Sequence, residues 1–131
     1  MSIENPAKIL VPVFLVLFLC MPSLGGAQCA ATIGASNFTT LQSAIDAAAT
    51  GATILVSGNC NENVSISARK ENITLNGQGL ATIDGPAANS TVATGGRNIT
   101  IQGFTISGGT SGILVQVGGT VTINGNIIQS T

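Results

Sequence analysis

The chemistry open to this chain is set by few residues. Among 131 residues there are three cysteines, five carboxylates, four cations and no histidine. Beyond residue 27 the carboxylates are Asp46, Glu62, Glu71 and Asp84, and the cations are Arg69, Lys70 and Arg97. Glycoside hydrolysis needs two carboxylates roughly 5 to 10 Å apart across a sugar, and no spacing in the sequence pairs any two of these. Asp84 precedes Gly85 in a turn pair, Asp46 falls on a solvated helix face, and Glu62 is expected to hydrogen-bond its own turn. Without histidine the usual proton shuttle is missing, and the two cysteines beyond residue 27, with no histidine, do not make a credible metal site. No catalytic, cofactor-binding or metal-binding residue is therefore assigned.

The cysteines are best read through export. Residues 9–21 form an almost unbroken apolar run behind Lys8, followed by Pro22 and small residues. Thirteen residues are too few to span a bilayer core comfortably, which takes about 20, so a cleavable signal peptide is expected over residues 1–27, with Gly25 and Ala27 before the cut. The competing readings are an uncleaved membrane anchor and, through Cys20, a lipoprotein. Cys20 leaves with the signal. Cys29 and Cys60 then remain in an oxidising compartment, either as a disulfide tying the mature N-terminus to the first strand layer or as two buried free thiols.

Composition excludes some partners. The formal net charge is -1 and charged residues make up 7% of the chain, so no basic field exists for nucleic acid or anionic lipid. Membrane contact is expected only through the signal segment. Four Phe, with neither Trp nor Tyr, leave few aromatic platforms for a sugar.

One segment has helical periodicity. Leu41, Ala44, Ile45 and Ala48 recur at i, i+3, i+4 and i+7, Thr39 and Gln42 resemble a capping box, and Gly51 stands where a helix stops. A helix is expected over about residues 40–50. With no helical partner downstream, it must lie on strands, as an amphipathic cap on the end of a solenoid. Residues 28–52 are thus assigned to an N-terminal segment with this helix, and residues 53–131 to β coils.

From Thr53 onward short β-branched runs alternate with Gly and Asn. Asn72-Ile-Thr-Leu-Asn-Gly77, Asn98-Ile-Thr-Ile-Gln-Gly103 and Thr120-Val-Thr-Ile-Asn-Gly125 are one phrase, repeated after 26 and then 22 residues. A repeat of that length with about three strands describes one coil of a parallel β-helix. The pattern predicts stacked inner columns, Ile73 with Ile99 and Val121, and Leu75 with Ile101 and Ile123, while Thr74, Thr100 and Thr122 form an outer one. Gly77, Gly103 and Gly125 are expected at equivalent sharp corners, and Asn76, Gln102 and Asn124 in an irregular amide ladder beside them. The fold class is all-β, a right-handed parallel β-helix of about four coils with an N-terminal capping helix.

The run Leu41-Gln-Ser-Ala-Ile-Asp-Ala-Ala, then Gly51-Ala-Thr-Ile-Leu-Val-Ser-Gly58, Glu62-Asn-Val-Ser-Ile and Asn72-Ile-Thr-Leu-Asn-Gly77, resembles the N-terminal part of right-handed parallel β-helix proteins of the pectin-lyase-like superfamily. The likeness covers residues 38–130. Its implication for fold is specific and for activity is not, because lyases, hydrolases, esterases and adhesins share the pattern. Members that cleave polygalacturonate use clustered Asp with Ca²⁺ and an Arg base, or several Asp, and no position here matches those sites. The family's aromatic before the Glu is replaced by Cys60, which adds to the disulfide reading.

These observations lead to a secreted or cell-surface scaffold, without a catalytic site in this span, whose parent class interacts with polysaccharide or cell-surface glycan. The alternatives are the N-terminal part of a pectate lyase-like or polygalacturonase-like enzyme with its active site downstream, and an adhesin or self-associating surface protein. The last run, at residues 126–129, has no cap, so the chain is expected to be truncated within a longer solenoid, or to associate end to end through that coil. The threonine column offers a flat hydroxyl array to ice or glycan, though outward Thr is simply favoured on strands. Sequons stand at Asn37, Asn63, Asn72, Asn89 and Asn98.

Overall fold

A computed structural model describes residues 27–129 of the chain. Residues 1–26 of the expected signal peptide, with Cys20, and the last two residues of the chain lie outside the described part.

The described chain opens with a hairpin, β1 (Ala30–Ile33) and β2 (Ser36–Phe38), turning at Gly34 with φ +57. Helix α1 (Leu41–Ala47) follows. Eight further strands come next: β3 (Thr53–Cys60), β4 (Val64–Ile66), β5 (Thr74–Gly85), β6 (Val92–Thr94), β7 (Ile99–Gly108), β8 (Ile113–Val115), β9 (Val121–Asn124) and β10 (Ile127–Ile128). Strands β3, β5 and β7 pair in parallel, each with the strand one turn later. Strands β9 and β10 both continue this stack on β7. A second parallel stack is β4, β6 and β8. The result is a β-solenoid of about three turns, with a further turn begun by β9 and β10, where the repeat count predicts about four.

The register confirms the predicted columns. Thr74 lies beside Thr100 and Thr100 beside Thr122, and Leu75, Ile101 and Ile123 stack in the same way. Side chains alternate across a strand, so Ile73, Leu75, Ile99 and Ile101 are buried while the threonines face outward, partly or fully exposed. One cluster joins these residues to Ile54, Val56, Val64, Ile66, Ile83, Val92, Phe104 and Ile106, and α1 adds Leu41, Ala44 and Ile45 to it.

Three expectations need correcting. First, the phrase glycines are not equivalent. Gly103 and Gly125 have φ +76 and +65, but in the preceding turn the left-handed residues are Gln78 and Gly79. Register slips between Asn76 and Ala81, because residues 77–80 bulge where β7 passes the same bend with Gly103 alone. This bulge, with a longer loop before β6, lengthens the second turn. Gly77 is required for space instead: a Cβ there would lie 2.6 Å from the Gly103 carbonyl oxygen.

Second, Asn76, Gln102 and Asn124 stand in register, but no side-chain hydrogen bond joins them among the described residues; Asn76 Oδ1 accepts from the amide of Gln78 in its own bend. Third, α1 is shorter than expected and begins one residue later. Its N-cap is Thr40, whose Oγ1 accepts from Ser43 N at 3.1 Å, and it stops at Ala48, which is already extended. The β1–β2 hairpin is also absent from the sequence reading. Its β1 joins the large sheet antiparallel to β3, so the N-terminal segment belongs to that sheet.

Position along the columns decides the cost of truncation. Ile101→Ala, at a fully buried site, is expected to destabilise by about 3 kcal/mol, whereas Ile123→Ala, one turn later and 47% exposed, costs under about 1 kcal/mol. Denaturant unfolding of the two variants measures the difference.

Candidate functional site

Chemically active side chains converge where the N-terminal segment meets the first turn. Glu62, on the link between β3 and β4, reaches back across 21 residues to the start of α1. Its Oε2 accepts from Leu41 N at 2.8 Å and its Oε1 from Gln42 N at 3.1 Å. Two of the amides that a helix start leaves unpaired are thereby satisfied by a carboxylate placed at the positive end of the dipole. At the other end Lys70 Nζ donates to the carbonyls of Asp46 and Ala48. Gln42 completes the attachment, donating from Nε2 to Ser65 O and accepting from Ser65 N at Oε1. The expectation that Glu62 serves its own turn is thus corrected: it clamps the helix from the strand layer.

Cys29 and Cys60 form a disulfide beside this clamp, one of the two arrangements the sequence left open. The sulfurs and the Glu62 carboxylate lie within 4.8 Å of one another, a spacing that would suit a metal. Both sulfurs are spent on each other, however, and both carboxylate oxygens on helix amides, so the cluster is a structural joint.

The remaining carboxylates of the described residues are engaged as well. Asp84 Oδ1 accepts from Ser107 Oγ at 3.1 Å, Asp46 Oδ1 accepts from Gln42 Nε2, and Glu71 faces Arg97 at 3.7 Å in an exposed pair. Such a pair contributes little to stability. No carboxylate lines the groove on the short sheet or the one beside Gly108 and Ile128.

Carboxamides occupy the bends. Asn63 Nδ2 lies within 3.3 Å of three carbonyl oxygens, those of Pro86, Asn89 and Ser90, so its two protons hold the whole loop before β6. Asn126 enters the Gly103 bend from the following turn, donating to Ile101 O and accepting from Phe104 N. Gln78 likewise donates to Val56 O of the preceding turn. Asn72 and Asn98, both left-handed at φ 57, stack with Asn98 Nδ2 donating to Asn72 Oδ1. The amide ladder therefore stands at the start of the phrase and not at its end. Asn72 and Asn98 each open the repeated phrase, and that recurrence was the available signal. The role of Glu62 had none, since its helix partners are 20 residues upstream.

A groove of about 430 Å³ crosses the outer face of the short sheet. Its floor is the outward column Ser65, Ala93 and Leu114, which the register stacks one per turn, and Asn89, Thr110 and Gln116 contribute to its lining. The lining holds no charged residue and is mostly polar. Beyond it, Val117, Ile127 and Ile128 are exposed on the last described turn.

No family model matches the chain, and no solved structure matches it. Among curated proteins, a cell surface glycoprotein of Methanothermus fervidus is 32% identical over 128 residues, covering 94% of this chain. The same stretch is 21% of that protein, so the chain spans about a fifth of the relative's length.

Loss of each joint has its own expected cost. Asn63→Ala removes three contacts served by two protons and is expected to cost about 2 kcal/mol. Glu62→Ala strands two helix amides at a similar cost, about 2 kcal/mol. Replacing both disulfide cysteines by serine, across a sequence separation of 31, costs about 3 to 4 kcal/mol in the chain-entropy model. Chemical unfolding monitored by circular dichroism, with and without reductant, reads all three.

Proposed function

We propose that this chain is part of a cell-surface scaffold: a stretch of right-handed parallel β-helix, of the pectin-lyase-like kind, exposed outside the cell and contacting polysaccharide. The observation that carries the reading is the 32% identity to a cell surface glycoprotein along nearly the whole chain, joined to a solenoid held by a disulfide. A disulfide in so small a domain fits an extracytoplasmic compartment. Right-handed winding is what strand chirality favours for parallel crossovers, and the resemblance of residues 38–130 supports the superfamily.

Carboxylates committed to the helix, to Ser107 and to a surface pair favour a scaffold over an enzyme in this span. The uncharged groove on the short sheet is the proposed polysaccharide contact, with Ser65, Asn89, Thr110 and Gln116 as hydrogen-bonding groups and Leu114 as the apolar patch against a sugar face. Further coils stacking on Ile127 and Ile128 would bury the last turn in the same way as the earlier ones.

Two measurements test this. Surface biotinylation and fractionation of producing cells should place the chain outside the membrane; recovery in the cytosol with free thiols sinks the reading. Affinity electrophoresis in gels containing cell-surface polysaccharide should retard the oxidised chain. Ala93→Trp, which fills the groove floor, should weaken that retention at least tenfold, or about 1.4 kcal/mol, while leaving the unfolding midpoint within a few degrees. Equal retention of both proteins places the sugar contact elsewhere.

A further inference from the structure

Five sequons stand in the sequence, and the fold treats them differently. A sequon accepts a glycan as a surface segment whose asparagine nitrogen and whose hydroxyl two residues on can both be presented. At Asn63 the nitrogen is held by three carbonyl oxygens. At Asn98 it donates to Asn72 Oδ1, which holds both stacked side chains. Thr74 and Thr100, the hydroxyl residues of those two sequons, lie in strands paired on both sides. Asn89 is exposed, but its hydroxyl residue Thr91 is fully buried and donates to Ser107 O at 2.9 Å.

Asn37 differs on every count. It sits on β2, the outermost strand of the large sheet, paired on one side only, with Thr32 of β1. Both Asn37 and Thr39 are exposed, Thr39 lies past the end of the strand, and neither side chain makes a hydrogen bond among the described residues.

We infer that Asn37 is the N-glycan acceptor of the folded chain, and that the other four sequon asparagines are withheld from modification by the solenoid's own hydrogen bonds and pairing. The donor is a polyprenyl-diphosphate-linked oligosaccharide. Asn37 Nδ2 bonds to the anomeric carbon, the bond from that carbon to the diphosphate oxygen breaks, the lipid diphosphate leaves with the bonding pair, and one amide proton passes to a base of the transferase. The inference rests on the surface reading only for where the chain meets such a transferase.

The test uses the full exported chain, oxidised, made in a host without N-glycosylation and incubated with an oligosaccharyltransferase and its lipid-linked donor. Intact mass and peptide mapping should show one glycan, on Asn37, lost in Asn37→Gln. The reduced, denatured chain should gain further glycans at other sequons. A glycan on Asn63, Asn72, Asn89 or Asn98 of the folded chain, or none on its Asn37, overturns the inference. A chain that accepts on Asn37 in this assay but is found inside producing cells sinks the surface reading and leaves the acceptor assignment standing.

Discussion

Every other feature depends on one constraint: each turn must lie on the one before it in a register that puts like side chains together. Parallel pairing of β3, β5 and β7 fixes that register. Because the pleat alternates, a slip of one residue would turn Leu75 and Ile101 outward and Thr74 and Thr100 inward. A hydroxyl column inside so narrow a core would lack partners, at a cost of about 1 to 3 kcal/mol for each buried group. The apolar columns and the backbone ladder therefore specify the same stacking.

Between faces the chain must bend, and there the ladder breaks. Each bend strands backbone groups, and the protein meets them with carboxamides from an adjacent turn: Gln78 on Val56, Asn126 on both sides of Gly103, and Asn63 on the loop before β6. An amide side chain offers donor and acceptor at once, which explains the abundance of Asn and Gln in a chain almost free of charge. At the N-terminal junction ions do comparable work. Glu62 and Lys70 hold opposite ends of α1, and each sits where the helix dipole favours its sign.

These commitments also shape the surface. Carboxylates and amides that might have formed a reactive cluster are spent on architecture, and the groove over the short sheet is left with small, uncharged groups. The same spending distinguishes the sequons, since Asn63 and Asn98 give their nitrogens to a neighbouring turn, and Asn37 on an edge strand does not.

The sequence by itself determined the repeat, the inner and outer columns and the apolar face of the helix, because period-2 and period-3.6 patterns and a phrase recurring every 22 to 26 residues are local signals. Tertiary structure alone decided what depends on neighbours a turn or more away. Glu62 meets the helix, Asn63 meets Pro86 through Ser90, β1 runs antiparallel to β3, and the bend at residues 77–80 bulges where the next turn uses a single glycine. A side chain's hydrogen-bond partner is fixed by which turn lies beside it, and that adjacency exists only once the coils have stacked.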